Sequence, residues 1–185
     1  MRCFVAVFPP ADIRKSAGLL ASRVAAGVQG ARIVPENNMH LTIRFLGEMQ
    51  ERDVRTFSAS LSDVSAGMPQ FRAGFMGLGA FPSIHKATAL WAGLKEGRET
   101  FALLAQRVSR IFPDIGGSGR DKPLIPHLTL ARFRAPIDLS RLEVFSELME
   151  TNLGMCTIAG FALMRSRLEP EGPVYEELCS CELKA

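Results

Sequence analysis

Apolar and polar positions change period along the chain, and each change predicts an element. Residues 3–8 (CFVAVF) are a short continuous apolar run, which reads as a buried strand. Pro9 and Pro10 stop it. Pro10 and Asp12 suit the opening turn of a helix, and Leu19, Leu20, Val24 and Val28 carry an apolar stripe to a break at Gly30. Residues 31–39 form a polar connection. Residues 40–46 (HLTIRFL) are strand-favouring and are closed by Gly47. A helix is predicted over 51–66, with Val54, Phe57, Leu61 and Val64 on one side. Gly67 and Pro69 break it.

Residues 71–81 and 87–94 read as two paired strands around a turn at 82–86, the first interrupted by glycines. A helix over 98–112 places Phe101, Leu104, Val108 and Ile111 at helical spacing. Residues 113–126 are a long loop rich in Gly and charge, in which Arg120 and Lys122 could reach a substrate. Residues 127–133 are a strand. Residues 138–149 read as a helix with Leu139, Leu142, Phe145 and Leu148 inward. Two closing strands, 155–165 and 174–183, flank a turn at Pro170, Gly172 and Pro173. Strands arrive in adjacent pairs among the helices, so the expected class is antiparallel α+β rather than a doubly wound parallel sheet.

Composition narrows the picture. A chain of 185 residues fills one good-sized domain or two small lobes. With 47% hydrophobic and 22% charged residues it is neither disordered, collagenous nor coiled-coil. The net charge of +3 is unevenly spread. Residues 1–137 hold 18 Lys and Arg against 10 Asp and Glu, and residues 138–185 hold 4 against 9. An anionic substrate would therefore favour the first three quarters of the chain.

Cys3, Cys156, Cys179 and Cys181 form no C-x-x-C, and with three His they show none of the usual zinc spacings, so no metal is expected. Cys179 and Cys181 would share one strand face. The apolar run starts directly after Arg2, which does not resemble a leader, and no apolar stretch approaches the ~20 residues of a membrane span. A cytoplasmic protein with free thiols, no membrane partner and a monomeric state is the expectation.

The chemistry lies in a repeated tetrapeptide. His40-Leu41-Thr42-Ile43 recurs 87 residues later as His127-Leu128-Thr129-Leu130, in a chain with only 3 His. That interval is far too long for a solenoid and points to two related halves. Residues i and i+2 of a strand share a face, so each copy presents one imidazole and one hydroxyl together, with the aliphatic residues behind. Two histidines can supply the base and the acid of a phosphodiester displacement. Threonine hydroxyls can donate to the non-bridging oxygens. No metal or other cofactor is needed. Arg44, at i+4 from His40, would share its face and could meet phosphate or RNA backbone. Arg132, at i+5 from His127, would point the other way unless a bulge intervenes, and Arg134, at i+7, meets the same objection. His85 sits in a turn and is given no role.

These motifs resemble those of the two-histidine phosphoesterases. The closest match is the bacterial and archaeal RNA 2',3'-cyclic phosphodiesterase family, also called 2'-5' RNA ligases. The resemblance runs through RCFVAVFPP (2–10), NMHLTIRFLGE (38–48), GAFPSIHKATALWAGL (79–94), PHLTLARFR (126–134) and SRLEPEGPVYEEL (166–178). One departure is Ile33, where the family often carries Trp. The resemblance implies a single two-lobed α+β domain over 1–185, with two pseudo-symmetric, mainly antiparallel lobes, helices outside and a central cleft. It implies hydrolysis of an RNA 2',3'-cyclic phosphate end to a 2'-phosphomonoester, with His40 as proton donor, His127 as acceptor, and Thr42 and Thr129 on the phosphate. Reversible 2'-5' ligation could accompany it. Two alternatives fit the same residues: a phosphodiesterase for small cyclic nucleotides, and a non-catalytic RNA- or nucleotide-binding module.

Overall fold

The computed structural model describes residues 1–112, 125–170 and 172–185. The chain runs β1 (Arg2–Val7), α1 (Ala11–Ala25), β2 (Ala31–Ile33), β3 (Leu41–Glu48), α2 (Glu51–Ala66), β4 (Phe71–Phe81), β5 (Ala87–Glu96) and α3 (Arg98–Ile111). It continues through β6 (His127–Ile137), α4 (Glu143–Leu148), β7 (Asn152–Ile158), β8 (Gly160–Glu169) and β9 (Gly172–Glu182). Arg120 and Lys122, the loop cations considered as substrate contacts, lie outside the described residues.

Among the described residues the strands form one curled sheet in the order β7-β4-β5-β6-β3-β1-β8-β9, with β2 paired to β6. The strand pairings are antiparallel, which bears out the α+β expectation. The order is palindromic about the β6-β3 seam. Each half places its motif strand at the centre, next to β1 in one half and β5 in the other. The halves meet in register at one pair, Leu41 opposite Leu128. Both leucines are fully buried.

The helices cover one face and exchange halves. The chain leaves β1 into α1, yet α1 packs on β7, β6 and β2 of the other half, with α4 beside it. It leaves β5 into α3, yet α3 packs on β3, and α2 lies on β9. The apolar spacing that builds α3 buries Phe101, Leu104 and Val108 completely. Among the described residues the opposite sheet face carries no α-helix. It holds a small separate cluster of Phe4, Ala6, Ala162 and Met164, with Phe8 and Tyr175 against it.

Four expectations need correcting. In α1 the inward stripe is Ile13, Ala17, Leu20, Ala21 and Val24, and Leu19, one position off it, is 63% exposed. Residues 31–33, read as plain connection, become a strand because β6 offers them a partner. The predicted helix over 138–149 is a single 3-10 turn at Leu139–Arg141 and then the six-residue α4. The Asp138 carboxylate accepts from the Ser140 amide and caps the turn, and Leu142 is extended between the two pieces. The predicted strand over 155–165 is two strands broken at Ala159, one pairing with β4 and the other with β1. Gly160 makes that corner: a Cβ there would lie 2.8 Å from the Cys181 carbonyl oxygen.

The seam depends on apolar packing rather than on a long hydrogen-bonded ladder. Leu128→Ala should destabilise the fold by about 2–5 kcal/mol through the cavity it leaves, read as a lower urea midpoint at unchanged slope.

Candidate active site

β3 and β6 cross the seam antiparallel at Leu41 and Leu128. Those leucines point into the helix-covered core. Alternation therefore puts His40, Thr42, His127 and Thr129 together on the open face. The antiparallel sense sets His40 on the side of Thr129, and Thr42 on the side of His127.

The two rings are held in the same way. His40 Nδ1 lies 2.7 Å from the Asn38 carbonyl oxygen, and His127 Nδ1 lies 2.7 Å from the Ile125 carbonyl oxygen. A carbonyl can only accept, so each Nδ1 carries the proton and each Nε2 is the nitrogen left to exchange one. The carbonyl comes two residues before the histidine in both motifs. Asn38 is itself tied down, its side-chain amide donating to the Pro173 carbonyl at 2.8 Å, which couples the entry of β3 to the β8–β9 hairpin.

Aromatic rings wall both imidazoles. His40 meets Phe4, Phe8 and Tyr175 at centroid distances of 4.9, 5.4 and 5.3 Å. His127 meets Phe81 and Trp91 at 4.8 and 6.0 Å. Trp91 lies flat over Gly79, where any Cβ would collide with the indole. Motif reasoning missed this wall. A signal was present, because the chain's only Tyr and only Trp both stand against a motif histidine.

The wall has an electrostatic consequence. Burial is the main cause that lowers the His40 pKa below its ordinary 6.5, opposed by the Asn38 carbonyl bond and aided by the charges of His127 and Arg132. Burial likewise lowers the His127 pKa, opposed by the Ile125 carbonyl bond and aided by Arg132. Burial outweighs the carbonyl bond at both sites.

Bulges re-aim the arginines. In β3, Thr42 lies opposite Ala6 but Arg44 lies opposite Val5, so one residue of β3 is extra. Phe45 thereby takes the open face, 69% exposed and 6.4 Å from Phe4. Arg44 turns to the helix side, donating to Ser109 Oγ at 2.9 Å and the Phe112 carbonyl at 2.8 Å. The expectation that Arg44 shares a face with His40 is corrected: unbroken alternation does not hold across the bulge. In β6 the same bulge acts the other way. Thr129 lies opposite Trp91 while Ala131 lies opposite Leu90 and Arg132 opposite Ala89. Gly93, Trp91 and Ala89 share one face of β5, so Arg132 joins His127 and Thr129. Its charge acts on His40, His127 and Tyr175. Ile33 pairs with Ala131 and so faces away from the cleft.

His85 takes no part in this group. Its Nδ1 lies 3.2 Å from the Asp138 carboxylate and 3.3 Å from Ser140 Oγ, an exposed tether between two turns. Among the described residues no three His, Cys, Asp or Glu come together as metal ligands.

Two imidazoles, two hydroxyls and one guanidinium on one open sheet face form an acid–base site suited to an anionic substrate. A family model described as LigT like Phosphoesterase matches residues 7–91. An RNA 2',3'-cyclic phosphodiesterase of Thermus thermophilus is 34% identical over 184 residues, covering 96% of this chain and 88% of its own. The protein of the same name in Archaeoglobus fulgidus is 32% identical, covering 96% of this chain and 98% of its own. A crystal structure of a Thermus thermophilus protein superposes with a TM-score of 0.83 at 32% identity, over 99% of this chain and 98% of that one. E. coli LigT complexed with 3'-AMP shares the fold, with a TM-score of 0.78 at 21% identity over 100% of this chain and 98% of that one. The chain belongs to the LigT-like phosphoesterase family.

Protonation of either motif histidine should oppose folding. The unfolded chain takes up these protons at about pH 6.5, and the folded chain only below it. Stability should therefore be full above that value, fall as pH drops through it, and level off once both folded rings are charged. Urea titrations between pH 5 and 8 would check the sign, and the loss should disappear in a His40→Gln, His127→Gln double variant.

Proposed function

We propose that this chain is a phosphodiesterase that opens the 2',3'-cyclic phosphate at an RNA end and leaves a 2'-phosphomonoester. The observation that carries the reading is the convergence of both His-x-Thr pairs and Arg132 on one open face. The names of the relatives supply the substrate.

The two rings are held equivalently, so the role of each follows the family. His127 Nε2 accepts a proton from water as the water oxygen bonds to phosphorus. The bond from phosphorus to the 3'-oxygen breaks, and His40 Nε2–H delivers a proton to that oxygen. Thr42 and Thr129 hydroxyls donate to the non-bridging oxygens, where charge accumulates. Arg132 supplies a fixed positive charge beside them. The Nδ1–H to carbonyl bonds hold each ring with Nε2 available for the transfer. The aromatic wall excludes water, which strengthens every charge interaction inside. With a 5'-hydroxyl in place of water, the same steps would join RNA ends through a 2'-5' linkage.

We also read residues 1–185 as one two-lobed domain with a motif in each lobe, acting as a monomer in the cytoplasm. Cys3, Cys156, Cys179 and Cys181 are all free thiols, which suits a reducing compartment. No helix among the described residues is long and apolar enough to cross a membrane.

The test is product analysis by phosphorus NMR, in EDTA, on an oligonucleotide ending in a 2',3'-cyclic phosphate. A 2'-phosphate should form without added metal. His40→Ala and His127→Ala should each lose about 10²–10⁴-fold in kcat. Thr42→Ala and Thr129→Ala should lose about 10–100-fold, the value of one hydrogen bond to a charged group. A 3'-phosphate product, or full turnover in either histidine variant, would overturn the assignment.

A pH–rate profile adds an independent check. Both histidine pKa values lie below 6.5 in the free protein, and one ring must be charged while the other is neutral. The kcat/KM profile should therefore be bell-shaped with its maximum on the acidic side of 6.5, falling toward pH 8 as the donor loses its proton. A maximum above neutrality would contradict the burial argument.

A further inference from the structure

Three arginines on the open face extend beyond the reacting group. In β2, Arg32 is registered directly opposite Arg132 of β6. Antiparallel partners point to the same face, so Arg32 stands beside Arg132 on the face of His127 and Thr129. Arg134, two residues further along β6, shares that face. All three arginines are exposed. Among the described residues none of them pairs with a carboxylate.

That arrangement is costly unless something anionic lies along it. Like charges directly across an antiparallel pair destabilise a sheet. Elsewhere in this chain arginines meet acids: Arg165 and Arg167 both approach Glu176, and Arg72 approaches Glu96. The spacing also has a direction. From His127 and Thr129 the row passes Arg132 with Arg32 beside it, then reaches Arg134 one pleat repeat on, about 6.6 Å along the strand. One pleat repeat suits the step between successive phosphates of an extended single strand. The cyclic phosphate is the last phosphate of its RNA, so every other phosphate lies on one side of it.

We propose that Arg32 and Arg134 continue from Arg132 as a phosphate track that holds the RNA backbone upstream of the reacting end. The substrate is then an oligonucleotide rather than a mononucleotide. This rests on the phosphodiesterase reading above and deepens it by setting substrate length. Arg32 comes from β2, a strand that exists only through its pairing with β6, so the track is assembled by tertiary structure.

The experiment compares a pentanucleotide ending in a 2',3'-cyclic phosphate with the matching mononucleoside 2',3'-cyclic phosphate, in wild-type protein and in Arg32→Ala, Arg134→Ala and Arg32→Lys. The wild type should prefer the pentanucleotide by about tenfold or more in kcat/KM. Arg32→Ala and Arg134→Ala should each reduce that ratio by about tenfold, chiefly through KM. Each should also flatten the slope of log kcat/KM against log salt by about 0.7, the value for one single-strand phosphate contact. Arg32→Lys should keep the slope. A wild-type ratio of one, or equal losses on both substrates, would overturn the track. If the wild type hydrolyses neither substrate, the phosphodiesterase reading fails. The track is then judged by pentanucleotide binding: a slope reduced by Arg32→Ala sustains it, and an unaltered slope rejects it.

Discussion

The pairing of Leu41 with Leu128 organises the molecule. It is the one registered contact between the two motif strands, and both side chains are buried under helices that arrive from the opposite half. Because strand side chains alternate, sinking those leucines into the core raises the residues on either side of each into the open. The histidines and threonines of both motifs reach one face for that reason alone. A slip of one residue at the seam would turn one motif strand over, sending its histidine and threonine into the core and bringing its leucine out. The exchange of α1 and α3 between halves guards against such a slip. Each half is covered by a helix that the other half delivers, so neither can finish its core without the other.

Around this seam the two halves repeat the same local devices. A carbonyl two residues before each histidine fixes Nδ1–H, and aromatic rings wall each imidazole. A bulge follows each threonine. What the halves do with the residue beyond the bulge differs. In β3 the open face receives Phe45, and in β6 it receives Arg132. An apolar ring and a cation therefore flank a nearly symmetric pair of imidazoles. This pair of positions adds a charge asymmetry to the difference already present in the aromatic walls, Phe4, Phe8 and Tyr175 around His40 and Phe81 and Trp91 around His127.

Burial sets the protonation of the site. The rings that exclude water also remove the solvation of an imidazolium, and this outweighs the pull of the carbonyl bonds. The Arg132 charge adds to the same effect at both rings. A site so biased toward neutral rings and positive charge suits an anion, whose negative charge would raise the imidazole pKa values again. The arginines of β2 and β6, which meet no carboxylate among the described residues, follow the same logic on a longer scale.

Much of this was legible in the sequence. The period-two alternation of HLTI and HLTL determined that histidine and threonine share a face, and their repetition determined that two halves meet. Adjacent strand pairs determined the α+β class. Matched segments along nearly the whole chain pointed to the family. Sequence alone could not see the bulges, because an extra residue becomes extra only against a partner strand. That is why Arg44 was expected on the open face and lies under a helix, while Arg132 was expected behind it and faces the cleft. Nor could it see β2, whose three residues are too short a run to signal a strand and extend because β6 offers free hydrogen-bonding groups. Local periodicity decides which way a side chain points relative to its neighbours along the chain. Register across the sheet decides what it points at, and register is a long-range property that only the assembled core fixes.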